Sequence, residues 1–202
     1  MMAPGHQVVG FSFGVAAVTL LPALPFLPER PLETIVFFMF VLFGALVPDI
    51  DTPRSRLGQK FWRILITLFT VALAVYLFAP ALFDTYREPL KTFVMLLLPI
   101  LLMIRGHRKM THSLFFLLFL VGYSYFVQWL LGLPWYYFGG LVTGATSHLF
   151  ADFITKRGIP LFYPFSKKHH SFFVTFRTGS VVEKMVTFVL IIVNVWYLLL
   201  AI

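Results

Sequence analysis

The chain has 202 residues, 59% hydrophobic and only 12% charged, with a formal charge of +8 and a mean hydropathy of +0.88. Soluble domains carry about a quarter of their residues charged, so these values exclude an ordinary soluble protein and point to an integral membrane one. There is no cysteine, which excludes disulfides and thiolate ligands and leaves any metal site to His and carboxylates.

The length leaves no room for a separate soluble domain of ordinary size, so residues 1–202 read as a single integral membrane domain. The N-terminus, Met1-Met2-Ala3-Pro4-Gly5-His6, lacks the basic region of a cleaved signal peptide, and the first apolar segment is expected to be retained. Apolar segments follow at 8–27, 34–47, 64–83, 92–104, 113–131, 135–151 and 185–202. About 20 apolar residues cross a bilayer as a helix. The second and fourth segments are shorter and are expected either to continue through their polar ends or to sit low in the membrane. Seven spans are expected, or six if 92–104 is re-entrant. The fold class is therefore all-α, a polytopic membrane helix bundle. Pro22, Pro25 and Pro99 are expected to kink their helices.

The connections divide by charge. Those at 28–33, 84–91 and 132–134 hold three Lys/Arg: Arg30, Arg87 and Lys91. Those at 48–63, 105–112 and 152–184 hold the other thirteen. The positive-inside rule places the second set and the N-terminus in the cytoplasm. The net positive charge is thus accounted for by cytoplasmic loops, and no nucleic-acid partner is expected.

On this topology the metal-capable residues fall on one side. His6 starts the first segment, Asp49 and Asp51 follow the second, His107 and His112 lie between the fourth and fifth, and His148 and Asp152 end the sixth. His148 and Asp152 are four residues apart, which on a helix puts them on one face, rotated by about 40°. Each has a bland reading. Asp49 and Asp51 could cap a turn and pair with Arg54 and Arg56; His107 could be a solvated loop residue; His148 and Asp152 could be a structural hydrogen-bonded pair. Taken together, His6, Asp49, Asp51, His112, His148 and Asp152 read as a metal site at the cytoplasmic ends of the helices. Ionisable groups at membrane depth are costly and usually functional. Mixed imidazole and carboxylate suits zinc, with manganese as an alternative, in one or two ions. Around them, Arg105, Arg108, Lys156 and Arg177 are candidate phosphate contacts, although each also fits a lipid-headgroup role. Ser180 and Glu183 have the spacing of a capping box opening the last helix.

The motif order is specific enough to suggest relatives. His6, then Pro48-Asp49-Ile50-Asp51, then His107-Arg108-Lys109-Met110-Thr111-His112-Ser113, then His148-Leu149-Phe150-Ala151-Asp152 resembles the YdjM-like family. Tyr163-Pro164-Phe165 and the run from Gly179-Ser180 to Glu183 also fit it. That resemblance implies a LexA-regulated, metal-dependent hydrolase of the bacterial inner membrane. More loosely, the pattern is similar to that of zinc-dependent phospholipase C and P1-type nucleases. Neither His169 nor His170 has a Glu four residues on, which points to one or two ions rather than three.

The function expected is a membrane-embedded, metal-dependent hydrolase acting on a lipid phosphoester at the cytoplasmic headgroup level. Asp51 would serve as ligand or general base and His107 as acid for the leaving group. A transporter or channel using the His/Asp cluster, and a non-catalytic scaffold with a structural metal, are the alternatives. The helix centres are almost purely apolar, which disfavours an ion path.

Overall fold

The computed structural model describes residues 1–21, 23–51, 56–105 and 110–201. Side chains of 51, 56–57, 96, 98–105 and 201 lie outside that description. The described residues are helical: α1 (Ala3–Leu20), α2 (Pro31–Gly44), α3 (Arg56–Phe78), α4 (Pro80–Thr85), α5 (Arg87–Arg105), α6 (Leu114–Leu131), α7 (Trp135–Phe153) and α8 (Val181–Ala201), with a 3₁₀ turn at Val47–Asp51. Two isolated β-bridges are the extended pairings found among these residues. The chain divides into two compact units, Met1–Pro48 with His112–Ile202, and Asp49–Thr111.

Every apolar segment becomes helix, with boundaries set by local chemistry. α1 ends at Leu20, so Pro25 lies beyond it and kinks nothing; Pro22 lies outside the described residues. Residues 23–27 instead form turns, with Leu24 N–H donating to Leu21 O and Leu27 N–H to Leu24 O. These turns deliver Leu27 to a buried cluster with Phe37 and Val41. The third segment breaks at Ala79, because Pro80 suits the first turn of a new helix and not the interior of an old one. α5 extends through its polar ends to 19 residues and runs through Pro99. Ser113 caps α6, its hydroxyl accepting from Phe116 N–H at 3.3 Å, and Gly132 ends that helix at φ 64°.

Among the described residues, three helices are long and apolar enough to cross a membrane: Gly58–Phe78, Leu114–Leu131 and Val181–Leu200. α2 is apolar but has only 14 residues. Leu118, Trp129, Leu198 and Leu200 are among the large apolar side chains these spans expose, as helices facing lipid do.

Within the first unit, α2 and α7 are in backbone contact. Their register is constant: Phe37 O faces Gly140, Val41 O faces Gly144, and Ala45 O faces His148. A Cβ on Gly144 would stand 2.1 Å from Val41 O, and one on Gly140 would stand 2.5 Å from Phe37 O. Only glycine fits at such an approach, the small-xxx-small packing of membrane helices. The two helices therefore run parallel. α1 crosses the same region through Gly10, opposite Ala45 and Ser147. It runs antiparallel to α7, with His6 at Asp152 and Gly10 at Ser147. α1 and α8 run parallel, since Met2 N–H donates to Glu183 at 2.7 Å and Asn194 donates to Ser12 at 2.9 Å.

Candidate metal centre

One stripe of α7 builds the site. Gly140, Gly144, His148 and Asp152 recur at four-residue intervals on one face. The two glycines bring the α2 backbone close, and one turn later the carbonyl of Ala45, at the end of α2, meets a side chain instead. His148 Nδ1 donates to Ala45 O at 2.7 Å. A carbonyl can only accept, so Nδ1 carries the proton and Nε2 presents a lone pair.

That lone pair points into a cluster. His148 Nε2 lies 3.3 Å from His112 Nε2 and 3.6 Å from Asp152 Oδ2, and His112 Nε2 is 3.6 Å from the same oxygen. His112 is placed there by the cap of α6, immediately before Ser113. His6, from the first turns of α1, stacks on the His148 ring at 3.8 Å with 8° between planes, and its Nε2 is 3.3 Å from Asp152 Oδ1. All three imidazoles are buried. The Met1 ammonium also pairs with Asp152 Oδ1.

The donor set fits a divalent cation. Two imidazole nitrogens bound at about 2.0–2.1 Å to one tetrahedral ion stand about 3.3 Å apart, the separation of the His112 and His148 nitrogens. His112, His148 and Asp152 present their ligand atoms within 4.8 Å of one another. His6 Nδ1 is buried with no hydrogen-bond partner among the described residues. A buried unpaired polar atom is costly, and here it belongs to the residue type that most often binds metal.

The other expected residues are placed differently. Asp49 and Asp51 lie in the 3₁₀ turn Val47–Asp51 and belong to the second unit. Arg105 ends α5; its side chain, and all of His107 and Arg108, lie outside the described residues. Lys156 and Arg177 are exposed and flank the Thr155–Phe176 bridge.

Glu183 takes a larger part than a capping box would give it. Ser180 Oγ accepts from Glu183 N–H at 3.3 Å, as expected. The carboxylate, however, is buried, with Oε2 accepting from Gly179 N–H at 2.6 Å and Oε1 from Met2 N–H at 2.7 Å. Met2 O in turn accepts from His6 N–H. Glu183 thus fastens the segment carrying His6 to the start of α8. The signal that the sequence carried for Glu183 was its charge at the edge of an apolar run, and for the α2–α7 contact it was the Gly140-xxx-Gly144 spacing.

Residues 1–202 match the family model described as YdjM inner membrane protein. The chain belongs to the YdjM inner membrane protein family. It is 26% identical over 161 residues to inner membrane protein YdjM of Escherichia coli (strain K12), covering 77% of this chain and 63% of that protein. The match to inner membrane protein YdjM of Shigella flexneri has the same identity and coverage. The chain therefore spans 63% of the length of these YdjM relatives. No solved structure matches it. Family membership and the apolar helices make this a multi-pass protein of the inner membrane.

Proposed function

We propose that the chain is a metal-dependent hydrolase of the inner membrane whose substrate is a lipid phosphoester. The observation that carries this reading is the convergence of the His112 and His148 nitrogens and the Asp152 carboxylate at 3.3–3.6 Å, from the start of α6 and the end of α7. His112, His148 and Asp152 would hold the cation, which we take to be zinc, with manganese as the alternative. His6, with its unpartnered buried Nδ1, is a fourth ligand candidate, and Asp49 and Asp51 remain candidates for a second ion. A divalent cation there supplies Lewis acidity and lowers the pKa of a water that reaches it.

This chain's own residues do the rest. The Ala45 carbonyl fixes the tautomer and ring plane of His148, the outer-shell role that carbonyls play for metal-binding imidazoles. Asp152, the most solvent-reached member of the cluster at 19% exposure, opens it to a substrate. His107 is the proposed acid, and Arg105, Arg108, Lys156 and Arg177 are the proposed phosphate contacts. A site within helix ends of an apolar bundle favours a lipid over a soluble ester.

Seven spans with the site at the cytoplasmic ends fit the helix directions. If every segment crosses, odd-numbered ones run parallel to each other, and so do even-numbered ones. α1 with α8, and α2 with α7, obey this for a count of seven. A re-entrant fourth segment would reverse α7 and α8. The charge bias of the loops favours the site's end of the bundle facing the cytoplasm.

The test is metal content and phospholipid turnover of purified protein in detergent, for wild type and for His148→Ala with Asp152→Ala. Stoichiometric zinc or manganese, lost together with turnover in the variant, supports the reading. Wild type without a bound divalent cation sinks it. Bound cation without turnover of any phospholipid leaves the scaffold reading standing instead.

A further inference from the structure

The connection between α7 and α8 is an ordered structure of which the catalytic reading uses only Lys156 and Arg177. Lys156 N–H donates to Phe176 O at 2.9 Å, Ile159 and His170 exchange bonds at 2.8 and 2.9 Å, and Phe172 N–H donates to Phe153 O at 2.9 Å. Gly158 makes the inner pairing possible. Its φ is 61°, and a Cβ there would stand 2.4 Å from His170 O. Leu114 N–H donates to Leu161 O at 2.9 Å, tying the loop to the start of α6 beside His112. Thr155 Oγ1 donates to the backbone carbonyl of Asp152 at 2.7 Å.

A loop so well bonded has the means to bury its apolar side chains, yet it holds them out. Phe165 is 90% exposed and Phe173 86%. Phe162 and Val174 are exposed beside them. Contiguous exposed apolar surface on a soluble protein marks an interaction site. The charge pattern says what kind. Residues 153–182 contain no Asp or Glu, and they contain Lys156, Arg157, Lys167, Lys168 and Arg177, all exposed. Lys167 and Lys168 lie between Phe165 and Phe173. Apolar rings alternating with cations match an anionic lipid surface, where rings enter the headgroup boundary and ammonium groups meet phosphates. The loop also runs directly into α8, which begins with exposed Val181 and Val182 and is itself long and apolar enough to span.

We propose that the 154–180 loop is an interfacial dock, inserting Phe165 and Phe173 among the headgroups of anionic lipids with Lys167 and Lys168 on their phosphates. Because the loop is bonded to both walls of the His112–His148–Asp152 cluster, the docked lipids lie at the rim of that cluster. In naming the route by which a lipid would approach, the inference rests on the hydrolase reading; the insertion itself does not.

The native chain has no cysteine, so single nitroxide labels can be introduced at Phe165→Cys and Phe173→Cys, with exposed Thr178→Cys as the aqueous reference. The full chain is reconstituted in vesicles of phosphatidylcholine, with and without phosphatidylglycerol. Electron paramagnetic resonance then compares accessibility to oxygen and to a water-soluble nickel chelate. Labels at 165 and 173 should show a severalfold higher oxygen-to-nickel ratio than at 178 in anionic vesicles. The difference should shrink in neutral vesicles, or when Lys167→Glu and Lys168→Glu are added. Labels as nickel-accessible as at 178, or equally deep in both lipids, overturn the proposal. So does dipolar broadening between labels of the same site, which would assign the patch to a second copy of the chain. No turnover is read, so insertion by a protein that binds no metal would overturn the hydrolase reading alone.

Discussion

At the residue scale the site depends on where protons sit. The Ala45 carbonyl leaves His148 Nε2 free to bind a cation, and the same nitrogen, once protonated, would face His112 across 3.3 Å. Cation retention should therefore fall as the pH drops through the acidic range in which these imidazoles protonate. Equilibrium dialysis with elemental analysis across that range checks this, and a flat profile would speak against imidazole ligands. His112→Ala should lose the cation as completely as His148→Ala. Glu183 should behave differently. Glu183→Gln puts an amide donor against one of two backbone N–H groups, and an unmet buried N–H costs about 1–3 kcal/mol. The variant should melt earlier in detergent while keeping its cation, whereas loss of cation at unchanged stability would make Glu183 a ligand. The sequence showed His148 and Asp152 as a pair, because four-residue spacing on a helix is unambiguous. It could not show that Glu183 reaches Met2, 181 residues away.

At the element scale the decisive feature is the contact of α2 with α7. A side chain at Gly144 meets the Val41 carbonyl, which is backbone and cannot swing aside. Gly144→Val should destabilise the protein by about 1–3 kcal/mol through overpacking and separate His148 from Ala45. The prediction is a lower melting temperature together with weaker cation binding, though no ligand is changed. An equal substitution at Gly122 has nothing within 4 Å of its Cβ and should leave cation binding intact. The Gly140-xxx-Gly144 spacing stood in plain view in the sequence, yet spacing alone does not name a partner helix. Pro80 likewise marked a break inside an apolar run, and hydropathy averaged over it.

At the scale of the whole molecule, topology governs whether the chemistry faces the cytoplasm. α2 ends and α6 begins at the same cluster, since Ala45 and His112 both touch His148. If the chain between them crosses the membrane, it does so an even number of times. With seven spans, Glu29→Cys and Thr178→Cys should react with a membrane-impermeant maleimide from opposite sides of sealed vesicles. Labelling of both from one side would sink the seven-span topology.

Composition alone determined the solvent of this protein, because no soluble fold tolerates so little charge over so much apolar sequence. Motif order determined the family, and helical spacing determined which residues of the sixth segment share a face. Tertiary structure decided the rest. It showed that two glycines admit a carbonyl to His148, that His6 stacks upon it, and that Glu183 secures the N-terminal segment. These contacts join residues more than a hundred positions apart. No local pattern encodes them, because they follow from how closely two backbones can approach.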